Sequence, residues 1–210
     1  MASQTRSAGL GQSIARGGGA SIHWGSPTNI YTSNNQYSTA SLDQYESTHW
    51  LRATNFGFDI PEGATIDGIV ARIEKKATGA EITDASVKIV KSAVEVGDEK
   101  RIFGNWPLSD TYVQYGGVAD LWGLTWTVDA INFGFGVSIA ALYAGEWGEL
   151  ADVDHIEIIV YYTEAVGTNM KIKASGAWKD GDELKIKVGG AWKPGVKAWQ
   201  KVSGAWKVIF

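Results

Sequence analysis

Residues 153–162 read Val-Asp-His-Ile-Glu-Ile-Ile-Val-Tyr-Tyr. Ile156, Ile158, Val160 and Tyr162 alternate with His155, Glu157, Ile159 and Tyr161. A period of two puts the first set on one face of a β-strand and the second set on the other. The same period recurs upstream. Ile69, Ala71 and Ile73 alternate with Val70, Arg72 and Glu74, and Ala85, Val87 and Ile89 alternate with Ser86, Lys88 and Val90. Phe133, Phe135, Val137 and Ile139 alternate with Gly134, Gly136 and Ser138. Phe56, Phe58 and Ile60 alternate with Gly57 and Asp59 before a turn at Pro61-Glu62-Gly63.

Helical spacing is confined to two single turns, Ala119-Asp120-Leu121-Trp122 and Val128-Asp129-Ala130-Ile131. About eight short strands joined by Gly-rich connections predict a two-sheet sandwich over residues 21–165. The fold class expected is all-β: a jelly-roll-like β-sandwich followed by a small C-terminal β-hairpin repeat module. Residues 1–20 are polar and carry Gly9, Gly11 and Gly17-Gly18-Gly19. They read as a Gly-rich N-terminal arm, disordered or ordered only on a partner.

The module at 166–210 rests on a repeat of period 14. Gly176-Ala177-Trp178-Lys179 recurs as Gly190-Ala191-Trp192-Lys193 and Gly204-Ala205-Trp206-Lys207. Lys171-Ile172-Lys173 and Lys185-Ile186-Lys187 precede the first two copies, and Trp199-Gln200-Lys201 the third. Such self-similarity marks units that are each too small to bury their own hydrophobic face and must stack on each other, on the first domain or on neighbouring chains. A three-residue turn would set Ala174 opposite Trp178 and collect Ile172, Ala174 and Trp178 on one apolar face. Trp178, Trp192, Trp206, Ile172, Ile186 and Val202 are therefore the candidate packing and interface residues. Charge follows the same division. Residues 171–210 hold nine Lys and three acids, a net +6, while the other 170 residues carry −10. A solvated Lys face also discourages unwanted edge pairing.

Composition narrows the function. The chain of 210 residues is 44% hydrophobic and 20% charged, which suits a folded protein. It has no Cys, so thiol nucleophiles, disulfides and Cys-ligated metals are excluded. No apolar run reaches the ~18 residues of a membrane helix. The start, MASQTRSAGLGQ, has no hydrophobic stretch, and no secretory signal is expected. Neither a Ser-centred nucleophile elbow, a phosphate-binding Gly loop nor a paired-His motif is present.

Asp152, Asp154, His155 and Glu157 are the best-placed metal or acid–base group, but alternation turns Asp154 away from His155 and Glu157. They read as part of a half-exposed edge strand. Asp180-Gly181-Asp182-Glu183 lacks the alternating ligands and distal Glu of a calcium loop. No catalytic residue, metal or cofactor is assigned.

Several stretches carry a resemblance. They are Ser26-Pro27-Thr28-Asn29, Asn34-Asn35-Gln36-Tyr37-Ser38-Thr39-Ala40, the run from Phe56 to Ile69, Leu121-Trp122-Gly123, Asn132-Phe133-Gly134-Phe135, and Val153–Thr163. Together they resemble a β-sandwich family of tailed-bacteriophage virion proteins over residues 20–165. The tail is similar to short repeats at the ends of phage tail and appendage proteins. The resemblance implies a virion structural protein, assembled in the host cytoplasm, as outer capsid decoration or a head or tail appendage.

Partners expected are further copies of the chain as a trimer, major capsid or tail proteins, and a host surface glycan. Neither a membrane nor nucleic acid is an expected partner. The alternative is a host-receptor or carbohydrate-binding adhesive module of a tail fibre, with Trp106, Tyr112, Tyr115, Trp122 and Trp147 as candidate glycan-stacking residues. A glycan-degrading enzyme ranks last, and it is retained because a carboxylate pair is set by spacing in three dimensions and leaves no sequence motif.

Overall fold

A computed structural model of the chain describes residues 1–165 and, beyond them, the backbone of six short strands between residues 170 and 208. The chain divides into two compact units, Met1–Ala165 and Val166–Phe210. The first is a sandwich of two five-stranded sheets. One sheet runs β1 (Ala2–Ser7), β10 (Glu149–Thr163), β5 (Thr65–Ala77), β8 (Thr111–Gly117), with β3 (Ser38–Leu42) beside the start of β10. The other runs β2 (Leu10–Ile14), β4 (Trp50–Thr54), β9 (Phe135–Tyr143), β6 (Ile82–Lys91), β7 (Val94–Val96). Every ladder is antiparallel. Only the β6–β7 hairpin stays within one sheet; each other connection crosses to the opposite sheet, in the jelly-roll manner.

Alternation predicts the core face well. Ile69, Ala71 and Ile73 of β5 and Ile156, Ile158 and Val160 of β10 are fully buried, as are Val137 and Ile139 of β9 and Val87 and Ile89 of β6. In β6 the parity changes at a bulge between Asp84 and Ser86, so Ala85 leaves the core face and Asp84 takes an inward place. Strand β9 begins at Phe135, and Phe133 is exposed beyond a short helix, α1 (Val128–Asn132). Phe56, Phe58 and Ile60 are buried without belonging to a ladder. Side chains hold their backbone instead: Gln4 Nε2 donates to Asp59 O at 2.6 Å, and Arg6 Nε to Gly57 O at 3.2 Å.

The expected N-terminal arm is a correction. Ala2–Ser7 is β1 and pairs with Glu157–Tyr162, and Leu10–Ile14 is β2 and pairs with Trp50–Thr54. The chain passes between sheets at one corner, where Ala8 N donates to Ile156 O and Gly9 N to Thr54 O. Both strands are edges with much of their side-chain surface exposed, so they carry no apolar alternation to read. Gly11 is required there, because a Cβ would lie 1.9 Å from Pro27 O.

The second unit has three two-stranded sheets: β11 (Met170–Ala174) with β12 (Ala177–Gly181), β13 (Lys185–Val188) with β14 (Ala191–Pro194), and β15 (Trp199–Val202) with β16 (Ala205–Val208). The register corrects the expected three-residue turn. Ala174 pairs with Ala177 and Lys173 with Trp178, so only two residues separate the paired ends of the strands. Lys187 with Trp192 and Lys201 with Trp206 repeat that pairing. The packing assigned to the side chains of Trp178, Trp192, Trp206, Ile172, Ile186 and Val202 lies outside the described residues.

Candidate functional site

The inward parity of β5 continues past Ile73 to Lys75, and β6 brings Asp84 to meet it from the other sheet. Lys75 Nζ lies 2.5 Å from Asp84 Oδ1 and 2.6 Å from Tyr115 Oη. The Asp84 carboxylate also accepts from Trp106 Nε1 at 2.8 Å, Tyr115 Oη at 2.9 Å and Ile102 N at 3.0 Å. Lys75 Nζ sits 4.2 Å from the centre of the Trp106 ring, a buried cation–π contact. Burial pushes the Lys75 ammonium down to about 8, against the opposing pull of Asp84. Burial likewise raises the Tyr115 hydroxyl, reinforced by Asp84. A cavity of about 100 Å³ under residues 102–107 touches this group. With four donors on one carboxylate the cluster is saturated, and its chemistry is that of an inter-sheet lock.

The Asp152–Glu157 group does not converge. The edge-strand expectation is corrected, since β10 lies inside its sheet and Asp152, Asp154 and His155 are buried. Asp152 Oδ1 accepts from Thr39 Oγ1 at 2.6 Å. A bulge between Val153 and His155 frees Asp154, which accepts from Asn34 N at 3.1 Å and Asn35 N at 3.0 Å. His155 shares hydrogen bonds with Tyr112 Oη at 2.7 Å and Ser7 Oγ at 2.9 Å. Its pKa is lowered by burial, although Glu157, Glu74 and Asp154 act in the other direction. Glu157 pairs with Arg72. These contacts tie β1 and the 32–37 loop to β10. Among the described residues no group of three or more His, Asp or Glu is placed to hold a metal ion.

Of the five proposed stacking residues, three are corrected. Trp106 at 3%, Tyr115 at 2% and Trp122 at 0% exposure belong to the core and cannot present a ring face to a sugar. Trp106 covers Lys75, and Trp122 donates from Nε1 to Ile69 O. Tyr112 is half-buried, with the Arg72 guanidinium 4.5 Å over its ring. Trp147 alone among them stands in solvent, at 81% exposure.

The registers explain what surrounds Trp147. Glu149 pairs with Leu42, Ala151 with Ala77 and Ile82 with Tyr143, so the loops 43–47, 78–81 and 144–148 gather at one end of the sandwich. Residues 102–107 join them, with Trp106 N donating to Ile82 O and Ala77 N to Pro107 O. Tyr45, Ile102, Phe103 and Leu108 are exposed at this same end. The other end has an open cleft of about 580 Å³ lined by Asp59, Glu62, Trp126 and Asp129. Tyr45, Phe103 and the Lys75–Asp84 pair were not singled out from sequence. A Lys and an Asp at inward positions of strands are the signal that marks the pair. Comparison with family models, curated proteins and solved structures finds no match for this chain.

Proposed function

We propose that the chain is a structural protein of a tailed-phage virion, an outer capsid decoration or head or tail appendage component that acts through protein–protein assembly. The observation that carries this reading is the set of three hairpins, each pairing only within its own two-stranded sheet among the described residues. An isolated two-stranded hairpin is marginal in water. Repeated hairpins with Trp at a constant position are stabilised by surfaces from other chains, and a trimer of copies or a capsid or tail protein supplies them. The resemblance to virion β-sandwich proteins supports the same reading. So does the use of the buried charged groups Lys75, Asp84, Asp152 and Asp154 in internal bonds, which leaves them tied to structure.

Gold immunolabelling of purified particles with an antibody to this chain tests the proposal. Gold over heads assigns decoration, gold at the tail assigns an appendage, and unlabelled particles overturn the virion role. Light scattering of the purified chain checks the trimer, which a monodisperse monomer would overturn. A second reading, an adhesive module for a host glycan, is favoured by the exposure of Trp147.

A further inference from the structure

Trp147 and Tyr45 are large rings left in water at 81% and 75% exposure on adjacent loops. The loops are bound together at their roots: Tyr143 N donates to Glu46 O at 3.0 Å, and Leu42 pairs with Glu149. The Trp147 backbone is fixed from below. Its N–H donates to Tyr143 Oη at 2.9 Å, and that hydroxyl donates back to Trp147 O, on a tyrosine that is itself buried. An exposed indole on an anchored backbone is preorganised for contact and loses little freedom on binding.

The carboxylates at this end of the sandwich lie against glycines. A Cβ on Gly145 would lie 1.7 Å from Glu81 Oε2, one on Gly79 2.0 Å from Glu149 Oε1, and one on Gly148 2.6 Å from Asp43 Oδ1. Each carboxylate therefore rests against a glycine that leaves room for it. Over 43–47, 78–81 and 144–149 the chain has Asp43, Glu46, Glu81, Glu146 and Glu149 and no Lys, Arg or His. None of these five is in an ion pair among the described residues. Flat ring faces flanked by groups that only accept hydrogen bonds match a ligand with apolar C–H faces and many donors. A pyranose has both.

We propose that the Trp147–Tyr45 loops are a glycan-binding site, which takes neutral or amino-sugar oligosaccharides and rejects acidic ones. A sugar ring stacks on Trp147, and its hydroxyl or ammonium donors meet Asp43, Glu81 and Glu149. The uncompensated acids repel uronates. The site stands whether or not the chain is found on a virion, so unlabelled particles leave it intact and failed sugar binding leaves the assembly reading intact.

The test is titration calorimetry of the full chain against N-acetylglucosamine oligomers, glucosamine oligomers, dextran, mannan and polygalacturonate, with poly-lysine as a competing probe. The Lys-rich C-terminal segment could attract acidic polymers by itself, so Trp147→Ala is the deciding variant. It is expected to weaken neutral or amino-sugar binding about tenfold or more, with an unchanged melting temperature because the side chain is exposed. Trp147→Tyr is expected to retain most of the affinity. Glu81→Gln with Glu149→Gln is expected to reduce the preference for glucosamine over N-acetylglucosamine oligomers. Binding to none of the neutral or amino-sugar probes, or binding that Trp147→Ala leaves unchanged, overturns the site. Binding of poly-lysine alone overturns it in favour of a basic polypeptide partner.

Discussion

Lys75 of β5 and Asp84 of β6 join the two sheets through a contact of 2.5 Å, and both side chains are buried. Removing one partner of a buried ion pair typically costs about 3–5 kcal/mol, because it leaves the other charge uncompensated. Lys75→Met is expected to lose stability on that scale in urea unfolding. Replacing both partners by apolar residues is often neutral elsewhere, but not here. Asp84 also serves Trp106, Tyr115 and the Ile102 amide, and Lys75→Met/Asp84→Leu leaves those three donors without an acceptor. The double variant is therefore expected to be no more stable than the single one.

The N-terminal strands give a prediction with the opposite outcome from a free arm. Deleting residues 1–14 uncovers the ladder edges of β10 and β4 that β1 and β2 occupy. Open strand edges pair with other chains. The truncated chain is expected to aggregate in light scattering, whereas trimming an arm would leave it unchanged. Two glycines separate the causes. At Gly11→Ala the new Cβ collides with Pro27 O and the fold is expected to fail. At Gly18→Ala there is open space and only the φ of +63° is strained, which costs about 1 kcal/mol.

Legibility followed burial. The strands read best were those whose one face meets the opposite sheet. Ile69, Ala71, Ile73, Ile156, Ile158 and Val160 alternate in sequence because the core requires it. Strands β1 and β2 are held by backbone bonds at the edges, so their side chains record no period. The bulge at Ala85 changes parity without any mark in residue type, and it is what turns Asp84 inward. Loop aromatics carry the least information. Trp106 and Trp122 fold over the core while Trp147 and Tyr45 do not, and only the path of the loops decides which. The candidate site was legible to the extent of Trp147; its glycine-seated carboxylates depend on contacts between distant loops.

Two histidines set the acid limb of stability. Burial lowers His49, with its neighbour His23 adding repulsion, and burial lowers His155 despite the surrounding acids. A folded-state pKa below the unfolded 6.5 means that the unfolded chain binds more protons in the interval between the two values. Their contribution is therefore full above 6.5 and is lost as pH falls below it. The melting temperature is expected to drop between about pH 7 and about pH 5. His155→Gln keeps one donor and one acceptor near Tyr112 and Ser7, and is expected to flatten that part of the profile.

Tyr143→Phe isolates the anchoring of the Trp147 loop from the packing beneath it. The ring stays in the core, while the hydroxyl that donates to Trp147 O and accepts from Trp147 N is lost. Glu81 Oε2 lies 3.3 Å from the same hydroxyl and loses that polar neighbour. Residues 144–148 then have fewer bonds to the sandwich, and local opening is governed by such bonds rather than by global stability. Hydrogen exchange at the Trp147 amide is expected to accelerate about tenfold, with protection in β9 and β10 unchanged. Oligosaccharide affinity is expected to fall as well, because the indole must then be ordered on binding. An unchanged exchange rate would mean that the loop holds its shape without Tyr143, and the preorganisation of Trp147 would need another cause.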